Sequence, residues 1–179
     1  TVGGYDKTVS PMTDSLIKLG ICIQFNSDPS QIDGLFMDPL KTLVVYTPAV
    51  SDTNPLLSYF KSNNFQVLKR SEVLGIVTKN TRCLAIAGTH GKTTTTSMTA
   101  AILSKGNLDP TYVIGGRLNV TNVNAKLGLG ELFIVEADES DASFLHLNPI
   151  DAVITNIDSD HLETYQGDFE RLKRTFVDF

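Results

Sequence analysis

The stretch Cys83-Leu84-Ala85-Ile86-Ala87-Gly88-Thr89-His90-Gly91-Lys92-Thr93-Thr94 decides how the rest of the chain is read. Five apolar residues predict a buried strand. A glycine turn follows, and Lys-Thr opens a helix expected from Thr93 to Lys105 and stopped by Gly106. Phosphate binding requires this order. Gly88 and Gly91 let the backbone wrap close to phosphate oxygens. The free N–H groups of a helix start, with its dipole, attract anions. Lys92 is placed to reach β/γ-phosphates, and the Thr93 hydroxyl to ligate Mg²⁺. Thr89, His90 and Thr94 complete the candidate nucleotide loop. The spacing departs from G-x-x-x-x-G-K-[ST], because Ile86 stands where that form has glycine and Gly88 lies only three residues before Gly91. Four consecutive threonines, Thr93 to Thr96, are poor helix formers. Their position makes sense where some of the hydroxyls work.

Downstream, the apolar run Leu132 to Val135 leads into Glu136-Ala137-Asp138-Glu139-Ser140-Asp141. A strand ending in carboxylates beyond a phosphate loop is the layout that holds Mg²⁺ near a nucleotide. Four carboxylates in six residues repel one another unless a cation or hydrogen bonds offset them. Alone, this segment reads equally well as a solvated acidic loop. A second run, Ala152-Val153-Ile154-Thr155-Asn156, also ends in acidic residues, Asp158-Ser159-Asp160, and then His161. Parallel α/β sheets collect ligands at the carboxyl ends of their strands, so the two runs together favour a metal or phosphate site. His146, within Phe144-Leu145-His146-Leu147, is expected to be a partly buried packing residue.

Short apolar runs alternate with helical stretches along the whole chain, which predicts an α/β fold with a mainly parallel sheet. Leu43 to Tyr46 is expected to be a buried strand closed by Thr47-Pro48. A helix is expected over Asn54 to Asn63, with Pro55 in its first turn, then a strand from Phe65 to Leu68. Ser71 is the expected N-cap of a helix running to about Thr78. Tyr112 to Ile114 is a further strand, and Phe169 to Phe179 a further helix. Ile32, Leu35 and Phe36 are expected to form a short buried patch among turns. The polar stretch Lys79-Asn80-Thr81-Arg82 marks a boundary between domains 1–81 and 82–179. The opening Thr1-Val2-Gly3-Gly4-Tyr5-Asp6 has the look of a second Rossmann strand ending on an acidic residue that meets a ribose or base. Its preceding strand and glycine-rich turn are expected to be missing.

The composition excludes several classes. Of 179 residues 41% are hydrophobic and 20% charged, ordinary for a globular protein large enough to bury a core without staples. The net charge of −5 argues against broad nucleic-acid or membrane-surface binding. The two cysteines, Cys22 and Cys83, sit in apolar runs and are expected to be buried, reduced thiols of a cytosolic protein. No run approaches the roughly 18 apolar residues of a membrane span.

Together these residues resemble the Mur ligases, the amide-forming enzymes of bacterial peptidoglycan synthesis. The resemblance rests on Gly88-Thr89-His90-Gly91-Lys92-Thr93-Thr94-Thr95-Thr96, on residues 136–145 and 155–161, and on Asp109-Pro110-Thr111, Gly115-Gly116, 124–128 and 165–169. It is dense from Cys83 onward and looser before, where Gly4-Tyr5-Asp6, Leu19-Gly20-Ile21 and Thr47-Pro48-Ala49-Val50 match a UDP-binding domain. It implies a truncated Rossmann-like N-terminal domain, then part of a P-loop-type ATP-binding domain, with a third, amino-acid-binding domain absent. It implies a cytoplasmic, ATP- and Mg²⁺-dependent ligase that joins L-alanine to the lactyl carboxylate of UDP-N-acetylmuramate through an acyl phosphate. It assigns Lys92 to the transferring phosphoryl group, Thr93 and Glu136 to one Mg²⁺, and His161 to a second. Asp6, Thr47, Asp138, Ser140 and Asn156 are implied as substrate contacts. As an isolated piece the chain is expected to be inactive.

Two other readings stay open on the residues. Another member of the family would add a different amino acid or a peptide. From another class, the chain would be a non-catalytic nucleotide-binding module. A GTPase-type switch predicts an Asn-Lys-x-Asp motif, but Asn156 is followed by Ile157.

Overall fold

The computed structural model describes residues 1–115, 124–160 and 162–179. It forms two compact units, Thr1–Arg70 and Ser71–Phe179. The class is α/β with mainly parallel pairing, as the alternation of runs predicts.

The first unit holds two separate parallel pairs. Strand β1 (Gly3–Tyr5) pairs with β2 (Cys22–Gln24), joined by helix α1 (Pro11–Lys18). Strand β3 (Leu43–Tyr46) pairs with β4 (Gln66–Lys69) across helix α2 (Pro55–Ser62). Local chemistry sets these helices. Ser10 and Thr13 form a reciprocal capping box around the first turn of α1, which Pro11 opens, and the Asn54 Oδ1 that caps α2 accepts from the Leu56 and Leu57 N–H groups. Leu56, Leu57 and Phe65 are buried, and the Phe60 and Phe65 rings meet edge-on at 4.9 Å.

Several expectations for this unit change. Strand β3 is not fully buried: Leu43 and Val45 are exposed, because a strand with one neighbour and one covered face alternates. Leu35 is 69% exposed and Ile32 and Phe36 only half-buried, so no buried patch forms there. Cys22 is exposed, since β2 is an edge strand with a partner on one side only.

The second unit is built on one five-stranded sheet. In chain order its strands are β5 (Arg82–Ala87), β6 (Thr111–Val113), β7 (Ala125–Lys126), β8 (Leu132–Glu136) and β9 (Asp151–Ile154). Their spatial order is β7-β6-β8-β5-β9, parallel except for β7. The central strand β5 divides its side chains between two cores. Cys83, Ala85 and Ala87 face Val135, Phe144, Leu172 and Phe176, the last two from helix α5 (Phe169–Asp178). Ile86 faces Ala100, Tyr112, Ile114 and Ile134, with Ala100 from helix α4 (Lys92–Lys105). Both faces are covered, which is why this strand reads as a continuous apolar run. Helix α4 begins at Lys92, one residue before the expected start.

Helix α3 (Arg70–Thr78) starts before Ser71, so Ser71 lies inside it rather than capping it. Leu74 packs on the α5-side core, and a Cβ on Gly75 would meet the His146 carbonyl oxygen at 2.3 Å. These contacts group α3 with the second compact unit, which begins at Ser71. His146 contributes its backbone to that contact; its side chain is exposed, not packed. Among the described residues no helix is long and apolar enough to cross a membrane.

Candidate functional site

Register brings the site together. Ile86 of β5 lies opposite Glu136 of β8, and Ala87 lies opposite Ile154 of β9. The next residues therefore converge at one edge: Gly88 to Lys92 from β5, the acidic segment from β8, and Thr155 onward from β9. This is the carboxyl edge of parallel strands, where α/β sheets bind ligands.

The loop from Gly88 to Lys92 is held by the segment after β9. Asn156 grips the His90 main chain from both sides: its Oδ1 accepts from His90 N at 3.0 Å and its Nδ2 donates to His90 O at 2.9 Å. Thr155 Oγ1 donates to the same carbonyl at 2.6 Å, and Thr89 N donates to Asn156 O at 3.1 Å. Thr89 Oγ1 accepts from Asp158 N at 2.9 Å. Gly88 is required here, with φ +123° and a would-be Cβ only 2.2 Å from Thr155 Oγ1. Gly91 precedes α4 in a left-handed conformation, and no side chain caps the helix start. The first N–H groups of α4 thus belong to the anion-attracting end of a 14-residue helix.

Residues 89–94 and Glu136 line an open cavity of about 330 Å³. Of the four threonines, Thr93 donates to Glu136 Oε1 at 2.7 Å and Thr94 lines the cavity, while Thr96 is buried and donates back to Lys92 O. Glu136 also accepts from the Gly115 N–H at 2.6 Å, and a Cβ at Gly115 would crowd that carboxylate. Thr93 and Glu136, paired from sequence as one metal site, are thus neighbours. Both offer hard oxygen, the donor class Mg²⁺ prefers. Among the described residues no group of three His, Cys, Asp or Glu side chains is arranged to hold a metal ion. An ion held here would complete its shell with phosphate oxygens and water, as Mg²⁺ commonly does.

Lys92 Nζ donates to Gly88 O at 2.7 Å, Thr89 O at 3.2 Å and Glu139 Oε1 at 3.1 Å, with Glu139 Oε2 at 2.8 Å. The Glu139 side chain is 1% exposed. The reading of residues 136–141 as one solvated acidic loop therefore fails. Asp138 and Asp141 are exposed and each accepts from a backbone N–H two residues on, while Glu136 and Glu139 point into the site. Tyr165 fixes the turn by donating its hydroxyl to Glu139 O at 2.5 Å. Burial, with the nearby Glu139, pushes the Tyr165 phenol up to about 12, so it stays a donor.

His90 is exposed, its Nε2 4.0 Å from an Asp158 carboxylate oxygen and 3.8 Å from one of Asp160. His161 lies outside the described residues, as does Gly116. Asp138 and Ser140 are in the turn after β8, Ser140 contributing its carbonyl to Thr164 Oγ1. Asp6 and Thr47 belong to the first unit, each just past a strand, where Asp6 accepts from Thr8 N and Thr47 O from Val50 N. Glu139, Gly115 and Thr155 were not singled out by sequence. Gly115 acts through its backbone and Thr155 through a carbonyl contact, and neither leaves a composition signal. Glu139 looks like its three acidic neighbours until burial separates them.

Residues 86–179 match the Mur ligase middle domain, and residues 1–82 match the Mur ligase family, catalytic domain. Over all 179 residues the chain is 48% identical to UDP-N-acetylmuramate–L-alanine ligase of Hydrogenovibrio crunogenus and 45% to that of Halorhodospira halophila. It spans 38% and 36% of their lengths. The fold superposes on UDP-N-acetylmuramate-alanine ligase MurC of Thermotoga maritima with a TM-score of 0.87 at 30% identity, covering 99% of this chain and 40% of that one. It superposes on the UDP-N-acetylmuramate:L-alanyl-γ-D-glutamyl-meso-diaminopimelate ligase of Neisseria meningitides with a TM-score of 0.85 at 28% identity, covering 99% and 59%.

Proposed function

Since the chain belongs to the Mur ligase family, we propose that it is the front part of an ATP-dependent ligase joining L-alanine to the lactyl carboxylate of UDP-N-acetylmuramate. The observation that carries the reading is the Lys92–Thr93–Glu136 constellation at the mouth of the loop. The choice of L-alanine is supported by the 45–48% identity, over the whole chain, to relatives named for that reaction.

In the proposed reaction the lactyl carboxylate attacks the γ-phosphorus of ATP and ADP leaves. The amine of L-alanine then attacks the acyl carbon, phosphate leaves, and an amide remains. A carboxylate oxygen is a poor leaving group, so phosphorylation precedes amide formation. The protein's share is positioning and charge neutralisation. The α4 N-terminus and the loop N–H groups cradle the phosphates. Lys92 exchanges its carbonyl partners for β/γ-phosphate oxygens. Thr93 and Glu136 would hold Mg²⁺, which when bound neutralises developing phosphate charge. Asn156 and Thr155 keep the loop shaped before the nucleotide arrives. His161 is proposed, through the resemblance, as ligand of a second Mg²⁺. Asp138, Ser140, Asp6 and Thr47 are proposed substrate contacts.

The test is phosphate release by the complete enzyme with Mg·ATP, UDP-N-acetylmuramate and a panel of single amino acids. Release is expected only with the muramyl nucleotide and L-alanine together. Lys92→Ala should lower it by about 10²–10³-fold or more, as loss of a key transition-state donor does. A peptide driving release instead would move the assignment to the peptide-adding member. No stimulation by any muramyl substrate would leave a nucleotide-binding module.

A further inference from the structure

We propose that Glu139 is a positioning residue for Lys92, a buried anion on which the loop ammonium pivots when it takes up phosphate. The proposal rests on the nucleotide-binding reading of the loop.

Glu139 is a buried carboxylate with few partners. Its side chain is 1% exposed, yet among the described residues its carboxylate has one cation against it, Lys92. Burying an ion pair costs desolvation that the attraction rarely exceeds, so such a pair is a poor stability device. The other carboxylates of the turn have ordinary duties. Asp138 and Asp141 accept from turn N–H groups in solvent, and Glu136 accepts from Thr93 and Gly115. Glu139 alone is spent on the lysine.

Its backbone is fixed from the core side. The Glu139 carbonyl accepts from the buried Tyr165 hydroxyl and from Ala142 N, and the Ser140 carbonyl accepts from Thr164. The carboxylate thus hangs from a fixed backbone, and its burial limits how far it can follow Lys92 if the lysine moves. An ammonium has three N–H donors. Here they serve Gly88 O, Thr89 O and Glu139. The two carbonyl acceptors are neutral, and the bond to Glu139 is charge-assisted and buried, hence the strongest of the three. Phosphate oxygens will replace the carbonyls first. Lys92 then swings about the retained Glu139 contact, and its charge arrives over the transferring group in one place.

The same carboxylate sits close to incoming phosphates of like charge. It works against nucleotide binding while it orients Lys92 for the phosphoryl transfer. That opposition separates positioning from a structural role, which would weaken binding and turnover together.

The test uses the complete enzyme and Glu139→Gln, which keeps shape and removes charge. Mg·ATP affinity is measured by calorimetry without acceptor substrates, so it stands whether or not the ligase reading does. The dissociation constant is expected to stay equal or fall several-fold, while kcat for phosphate release falls by about 10–100-fold, the range of a small misplacement. Weaker Mg·ATP binding, or an unchanged kcat in an active enzyme, overturns the proposal. If Glu139→Gln does not fold, Lys92→Met is compared with Lys92→Met/Glu139→Gln. The single variant strands a buried carboxylate and should melt lower than the double. A double variant that melts no higher overturns the proposal as well.

Discussion

Leu43-Val44-Val45-Tyr46 and Cys83-Leu84-Ala85-Ile86-Ala87 look alike as sequence, two apolar runs between polar ends. In the structure they differ. Strand β3 has one neighbour and alternates exposed and half-buried residues, whereas β5 lies between β8 and β9 and four of its six residues are buried. An apolar run specifies a strand; its burial comes from the strands and helices around it. The difference also locates function. A strand locked on both sides can hold a loop to the tolerance that phosphate binding needs.

The contrast predicts paired effects, one residue from each unit. Ile86→Ala empties a fully buried site facing Ala100, Tyr112 and Ile134. It should cost about 4 kcal/mol by transfer and cavity terms. Val45→Ala, at a position 46% exposed, should cost less than about 1 kcal/mol. Calorimetric melting of the 179-residue chain measures both. Equal losses would mean that β3 is as enclosed as β5, and the comparison would break.

A glycine pair tests the loop itself. Gly88→Ala combines φ +123° with a collision at Thr155 Oγ1, and should cost about 2–3 kcal/mol and abolish Mg·ATP binding. Gly20→Ala also has a positive φ, +82°, but open space around it, so only the backbone strain of about 1 kcal/mol remains. A Gly88→Ala protein that still binds Mg·ATP would show that the loop reshapes around its ligand.

An asparagine pair separates caps from clamps. Asn54→Ala removes the cap of α2 and should cost about 1 kcal/mol with Mg·ATP affinity unchanged. Asn156→Ala removes two bonds to the His90 main chain, should cost about 1–2 kcal/mol, and should weaken Mg·ATP binding about tenfold because the loop is no longer preformed. Equal Mg·ATP affinities in the two variants would remove Asn156 from the loop's support.

The loop, the Thr93–Glu136 pair and the strands were legible because each rests on a local signal: a glycine turn, an apolar run ending in carboxylates, a helix start. What was not legible depends on distant partners. Asn156 is expected at substrate; that its amide also engages His90, 66 residues away in sequence, no local pattern announces. Glu139 could not be told from Asp138 or Asp141 before the Tyr165 segment folded over it. That α3 packs with the second compact unit through Leu74 and Gly75 rests on contacts no local pattern announces.

The two cysteines carry the comparison to its smallest effect. Both sit in apolar runs, and sequence treats them alike. Cys83 lies in β5, 1% exposed, and burial pushes its thiol up from about 9 to about 11. Cys22 lies on the edge strand β2 and is exposed. Only the thiolate attacks an alkylating reagent, and it must be reachable. At pH 8 iodoacetamide should therefore modify one thiol per folded chain, and peptide mapping should place it at Cys22; in denaturant both should react. The pH dependence follows with its sign. Because folding raises the Cys83 value, its contribution to stability is complete below about pH 9 and is lost as pH rises towards 11. Melting between pH 8 and 11 should thus show a decline that Cys83→Ala lessens and Cys22→Ala leaves in place. Labelling of Cys83 in the folded chain at pH 8 would mean that β5 opens to solvent, and the rigid strand argued to hold the phosphate loop would be no firmer than β3.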